Sequence, residues 1–211
     1  MPLQNRVDPF GHLFAAPARG LLMGNRGGRL HDDKRKLGTR RWSSKQWICC
    51  KLAFNSRQRK VWGEGYSELF FLDEVTAFAA GHRPCFECRR RDAENFATLF
   101  SKKKRRATAA AMDAVLHAER LDFKSKRMHR RAIDELPDGA MIAIEGDAFA
   151  VRGKRLLRWT PAGYAEARPR PRGGQVDLLT PPSMLAVLAR GYAPLWHPSS
   201  AAAPLRTLTR S

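Results

Sequence analysis

The sequence contains no run of about 18 apolar residues, the length a helix needs to cross the hydrocarbon core of a bilayer, so no part of it is expected to span a membrane. Its first residues lack the basic, then apolar, then small-residue order of a secretory signal. Cysteine is scarce: there are four, all between positions 49 and 88. The expected compartment is therefore a reducing cytoplasm, where thiols serve more often as metal ligands or reactive groups than as disulfides. A phosphate loop is missing too. The stretch from Met23 to Asp33 has three glycines and two arginines, but no Gly-Lys-Ser/Thr follows. It reads as a flexible turn, with an anion-lining loop of backbone N–H groups the weaker alternative. There is no internal repeat and no Ser/His/Asp set, and His31-Asp32-Asp33 is the one compact group of titratable residues.

Acidic residues are in deficit as well. Only 20 Asp and Glu face 39 Lys and Arg, which gives a formal charge of +19 on 211 residues. Such a chain repels itself, and a polyanion relieves that repulsion. Nucleic acid, DNA ahead of RNA, is the expected partner. The competing explanation is a codon bias that enriches Arg and Ala without any function. What is present in ordinary amount is apolar content, at 43%, enough for a packed core.

The chain divides by composition. Residues 1–20 carry three prolines and two glycines and read as an irregular arm. Residues 21–106 form a basic region holding every cysteine. In it, Trp42 to Phe54 suggests a strand, as does Leu69 to Leu72. Asp73 caps a short helix over 74–80, and Gly81 stops it. A helix is expected from Arg89 to about Phe100, followed by the cation run Lys102 to Arg106. Residues 107–198 read as two helices, Ala107 to Arg120 and Lys124 to Leu136, then a meander of short apolar runs from Met141 to Trp159. A strand at Val176 to Leu179 and a helix capped by Thr180 complete this region. Residues 199–211 read as a disordered tail. The expected fold class is α+β: a small zinc-stabilised N-terminal unit, then helices and a short antiparallel meander.

Cys85-x-x-Cys88 makes a turn that brings two thiolates and nearby backbone N–H groups to one point, which suits tetrahedral zinc. A redox pair and four unrelated buried thiols are the alternatives, but the βαβ start a redox pair requires is absent and the confinement of every cysteine to one 40-residue window argues against chance. Cys49 and Cys50 are the remaining thiols. If they lie in a strand their side chains point to opposite faces, which favours Cys50 as the third ligand. Cys49, His82 and His31 are the candidates for the fourth position. One structural Zn2+ is expected.

The stretch from Cys50 to Arg90 resembles the metal-binding domain of the Ada-type DNA alkyl-phosphotriester repair proteins. Leu69-Phe70-Phe71 matches that family's strand and Glu74 to Ala80 its Ala-rich helix. Gly81-His82-Arg83-Pro84-Cys85-Phe86-Glu87-Cys88-Arg89 matches its closing knuckle. The likeness covers about a fifth of the chain. It implies zinc held by Cys50, Cys85 and Cys88 in a small unit seated on nucleic acid, with a role in DNA repair or maintenance. This sequence departs from the family at the first corner, where adjacent Cys49-Cys50 replaces Cys-x-x-x-Cys. It also lacks the Pro-Cys-His-Arg methyltransferase motif.

The expected function is a zinc-stabilised nucleic-acid-binding protein. Arg83, Arg89, Arg90, Arg91, Lys102, Lys103, Lys104, Arg105 and Arg106 would contact phosphates. One alternative is an enzyme that uses a zinc-bound cysteine or zinc-activated water on a phosphate ester. The other is a protein-interaction module in the second half, its partner unknown.

Overall fold

The structure is a computed structural model that describes residues 1–56, 60–101 and 105–205. Two six-stranded sheets dominate it. The first contains β1 (Arg6–Val7), β2 (Leu13–Phe14), β3 (Leu22–Asn25), β4 (Ile48–Lys51), β5 (Leu69–Phe71) and β6 (Arg83–Pro84), in the order β2-β1-β5-β3-β4-β6. It is mixed: β1 runs parallel to β5 and β4 parallel to β6, while the other pairs are antiparallel. Gly24 lets β3 approach its neighbours, since a Cβ there would lie 2.0 Å from the Ile48 carbonyl oxygen and 2.9 Å from the Phe71 ring.

A helical segment follows. It comprises α1 (Glu74–Ala79), which precedes β6, then α2 (Arg90–Phe100) and α3 (Ala109–Arg120), and a small hairpin of β7 (Leu121–Asp122) with β8 (Ser125–Lys126). The second sheet contains β9 (His129–Ala132), β10 (Met141–Ile144), β11 (Asp147–Arg152), β12 (Arg155–Thr160), β13 (Gly163–Pro169) and β14 (Gln175–Leu178). Its order is β13-β12-β11-β10-β14-β9, antiparallel throughout. The β10–β11 turn uses Glu145 and Gly146, both at positive φ, as the commonest tight hairpin requires. Two helices close the described chain, α4 (Pro182–Ala189) and α5 (Ser199–Ala202).

Helix α1 is the hub, and every one of its residues is buried. Helical spacing turns its side chains to three partners. Val75 and Ala79 pack on the second sheet with Met141, Ala150 and Leu157. Ala77 and Ala80 meet Leu22, Leu69 and Phe71 of the first sheet. Phe78 joins Phe96, Met112, Leu116 and Val187 from α2, α3 and α4. Residues four and three apart share a face of a helix, so four positions of α1 and its C-cap Ala80 suffice for three interfaces.

The expected helix-rich fold behind a small zinc unit is overturned. The chain is mostly β, with five short α-helices among the described residues. Lys124 to Leu136 carries apolar residues at helical spacing, yet it forms β8, β9 and a 3-10 turn, because β9 pairs along its whole length with β14. The meander is part of a full six-stranded sheet rather than a short appendage. Residues 1–20 supply β1 and β2. Of the expected tail, residues 199–205 dock on the second sheet, where α5 lies against β13, Ser200 and Ala203 are buried and the Ala167 N–H donates to the Pro204 carbonyl, and residues 206–211 lie outside the described residues. No helix among the described residues is long and apolar enough to cross a membrane.

Candidate metal centre

Strand alternation decides where the two adjacent cysteines go. In β4, Cys49 faces the core beside Leu69 and Phe71, while Cys50 faces the opposite side with Ile48 and Met23. Strand β6 then lies parallel to β4, with Cys49 opposite Pro84, and the Cys85 N–H donates to the Cys49 carbonyl at 3.0 Å. This delivers Cys85 next to Cys50. The chain turns through Phe86 and Glu87, and the Arg89 N–H closes the turn on the Cys85 carbonyl at 3.0 Å. Cys88 thereby reaches the same point. The sulfurs of Cys50, Cys85 and Cys88 all lie within 4.8 Å of one another.

Backbone N–H groups and neighbouring thiols bond to these sulfurs and separate their acidities. The Glu87 N–H donates to Cys85 Sγ at 3.4 Å, and the Lys51 N–H donates to Cys88 Sγ at 3.4 Å. Hydrogen bonds from the Cys50 and Cys88 thiols push the Cys85 thiol down. Donating to Cys85 and Cys88, together with burial, pushes Cys50 up. Of the three, Cys85 is the sulfur most readily ionised, and a bound cation would favour the thiolate form of all three. Soft sulfur donors at this spacing can hold a metal ion.

The cluster forms part of the wall of a pocket of about 400 Å³ whose other sides include Met23, Ile48, Leu52, Phe54 and Phe70. None of the candidates for a fourth ligand stands with the three sulfurs. Cys49 is fully buried and accepts a hydrogen bond from Arg89 Nη1 at 3.3 Å, and burial pushes its thiol up. His31 stacks on Trp62 and is bonded to Ser67 Oγ and the Gly63 carbonyl. His82 sits against Trp47 and Phe71, and its Nε2 accepts from Arg26 Nε at 3.2 Å.

The arginines expected on phosphates divide into two groups. Arg83 and Arg89 are buried and paired internally. Arg83 makes a two-pronged bond to Asp113, with both contacts at 2.8 Å. Arg89 pairs with Glu74 and Asp92, each at 2.8 Å, and its proton is held more tightly than usual by Cys49 and Glu74 despite burial. Arg90, Arg91, Arg105 and Arg106 are exposed. Arg90, Arg105 and Arg106 gather around one open basin, where Glu94 pairs with Arg90 at 3.7 Å and Arg106 at 3.2 Å. Lys102, Lys103 and Lys104 lie outside the described residues. Of the tryptophans, Trp47 and Trp62 are core residues, while Trp42 stays partly exposed.

A second cationic group has no counterpart in the sequence reading. Arg26 comes from the end of β3 and Arg120 and Lys126 from the α3–β8 corner almost a hundred residues later, and they converge beside Trp47, so no local motif marks them. Comparison of the chain with protein-family models, with curated proteins and with solved structures finds no match.

Proposed function

We propose that Cys50, Cys85 and Cys88 hold one Zn2+ and that the zinc-loaded chain binds nucleic acid, DNA ahead of RNA. One observation carries the reading: the three thiols tie β4 to the turn that starts α2, and the exposed N-terminal face of α2 presents Arg90 and Arg91. A metal there would fix the position of that basic face relative to the sheet. Zinc is the metal of choice for a three-thiol site, since it prefers sulfur and a tetrahedral geometry. The resemblance of the Gly81–Arg89 stretch to an Ada-type knuckle supports the same metal. Arg105 and Arg106 extend the basic face, and the surplus of 19 positive charges adds long-range attraction.

The test is metal analysis followed by a salt titration of binding to a labelled duplex. One zinc per chain is expected. Four arginines releasing counterions predict a slope of log affinity against log salt of about −3 to −4. Stripping the metal should weaken binding. Affinity that ignores both salt and chelator refutes the proposal.

A second reading, catalysis at the metal, is favoured by the pocket beside the cluster. Three protein sulfurs leave a fourth position for a ligand entering from that pocket. Cobalt-substituted protein tests it. Visible bands that shift on adding imidazole support an open position, and bands that do not respond support a closed structural site.

A further inference from the structure

Three cations are packed together on the far side of the first sheet's core with no acidic partner. Arg26 and Arg120 each place the guanidinium carbon over the Trp47 ring, at 4.0 and 3.9 Å from its centroid. Arg26 is 2% and Arg120 1% exposed. Their hydrogen bonds go to neutral acceptors. Arg26 donates to the carbonyls of Gly11 and Arg41 and to His82, and Arg120 to the carbonyls of Gly81 and Lys45 and to His117. Arg120 Nε is buried with no partner. The Lys126 ammonium donates to the Ala79 carbonyl. Among the described residues none of the three forms an ion pair. Asp8 and Asp113 attract Arg26 and Arg120 from a distance, but each is bonded elsewhere, Asp8 to His12 at 3.0 Å and Asp113 to Arg83 at 2.8 Å.

The three line a cleft of about 350 Å³. Arg41 and Lys124 add two exposed cations at its edge, and no Asp or Glu lines it. The partly exposed rings of Phe10 and Trp42 complete the wall. Burial lowers the proton affinity of all three cations, and neighbouring positive charge adds to it, from Arg41 at Arg26, from Arg26 at Arg120, and from Arg120 and Arg26 at Lys126, which falls to about 7. Such an arrangement opposes folding unless something negative enters.

We infer that this cleft binds a phosphate monoester carried on a flat ring, as in a nucleotide. A monoester brings nearly two negative charges and three strong acceptor oxygens, which match two guanidinia and an ammonium. Trp42 and Phe10 offer faces on which a base can stack. Carboxylate anions fit less well, because one negative charge leaves most of the cluster uncompensated. The cleft shares no lining residue with the pocket beside the cysteines, so the inference does not rest on a metal being held there.

The same chemistry occurs on a free nucleotide and at the phosphorylated end of a strand, and the experiment separates the two. Calorimetric titration of the full chain uses a nucleoside 5′-monophosphate, the bare nucleoside, and one oligonucleotide with and without a 5′-phosphate. Saturable one-site binding of the monophosphate, at least about tenfold tighter than the nucleoside, is expected. Lys126→Met should weaken it by about tenfold or more without lowering the melting temperature, because the variant also relieves repulsion. Lys124→Ala, at the exposed edge, should give a smaller loss in the same direction. An affinity gain from the 5′-phosphate that disappears in Lys126→Met assigns the site to strand ends. A monophosphate that binds while the two oligonucleotides are alike assigns it to free nucleotides. The inference is overturned if the phosphate adds no affinity to either probe, or if Lys126→Met binds every probe as the unaltered chain does. Metal-free protein that still binds the monophosphate leaves this site standing and removes the zinc reading alone.

Discussion

Asp113→Ala should be among the most damaging single changes outside the apolar core. Its carboxylate accepts from Arg83 Nε and Nη2, both at 2.8 Å, and the two side chains are 9% and 1% exposed. Removing the carboxylate leaves a buried guanidinium with one remaining oxygen partner, the Pro84 carbonyl, and a face on the Phe86 ring. Breaking a buried pair from one side costs about 3–5 kcal/mol, because the surviving charge stays desolvated. Unfolding entropy near 60 °C is roughly 2.1 cal/mol/K per residue, or about 0.44 kcal/mol/K for 211 residues. A loss of about 4 kcal/mol therefore lowers the melting temperature by about 9 °C. Differential scanning calorimetry at neutral pH reads this directly. The double variant Arg83→Met/Asp113→Leu should recover most of the loss, since it removes both charges together. A single variant that melts within about 2 °C of the unaltered chain would refute the reasoning that this pair is shielded from water.

Cys85→Ser should abolish metal uptake measured by elemental analysis, whereas Cys49→Ser should leave the stoichiometry unchanged, because Cys49 faces the core away from the other three. Gly81→Ala should cost about 2–3 kcal/mol in urea unfolding. Gly81 adopts φ +84, and an added Cβ would stand 2.6 Å from Arg120 Cδ. Lys126→Met should raise the melting temperature most below pH 7, with the gain fading as pH approaches 10.5. In that window the unfolded chain still holds the Lys126 proton while the folded chain, where burial first and then Arg120 and Arg26 disfavour the charge and Asp8 offsets little of it, releases it near pH 7. The unaltered chain therefore gains stability as pH rises, and a melting difference that is flat from pH 6 to 10 would refute the placement of Lys126.

Local signals in the sequence located several elements well. The apolar run at Leu69 gave β5, the Asp73 cap gave α1, and Gly81, at positive φ, ends that helix. The proximity of Cys50, Cys85 and Cys88 follows from strand alternation plus a knuckle, both local patterns. What escaped depends on distant partners. Lys124 to Leu136 has Met128, Ala132, Ile133 and Leu136 at helical spacing, but β14 more than forty residues later recruits His129–Ala132 as a strand. Thr180 looks like a helix cap; instead its hydroxyl accepts from the Met141 N–H inside the sheet and Pro181 takes the cap position. Arg83 and Arg89 read as surface cations until Asp113 and Glu74 arrive from other segments to bury them. The cluster of Arg26, Arg120 and Lys126 has no local signature, since only tertiary packing on Trp47 assembles it.

The start of α1 is sewn to the far end of the chain. Asp73 accepts from the Tyr164 hydroxyl at 2.9 Å and the His197 N–H at 3.0 Å, and Glu74 from the Tyr192 hydroxyl and the Leu195 N–H, each at 2.9 Å. A fragment ending near residue 106 would leave those carboxylates without four of their donors and strip Tyr192 from the rings of Phe78 and Phe96. The thiol-bearing half is therefore not a detachable cassette: the helix that links its sheet to its cysteine turn is anchored by side chains and backbone from residues 164–197, so any ion seated on Cys50, Cys85 and Cys88 would depend on that later segment being folded in place.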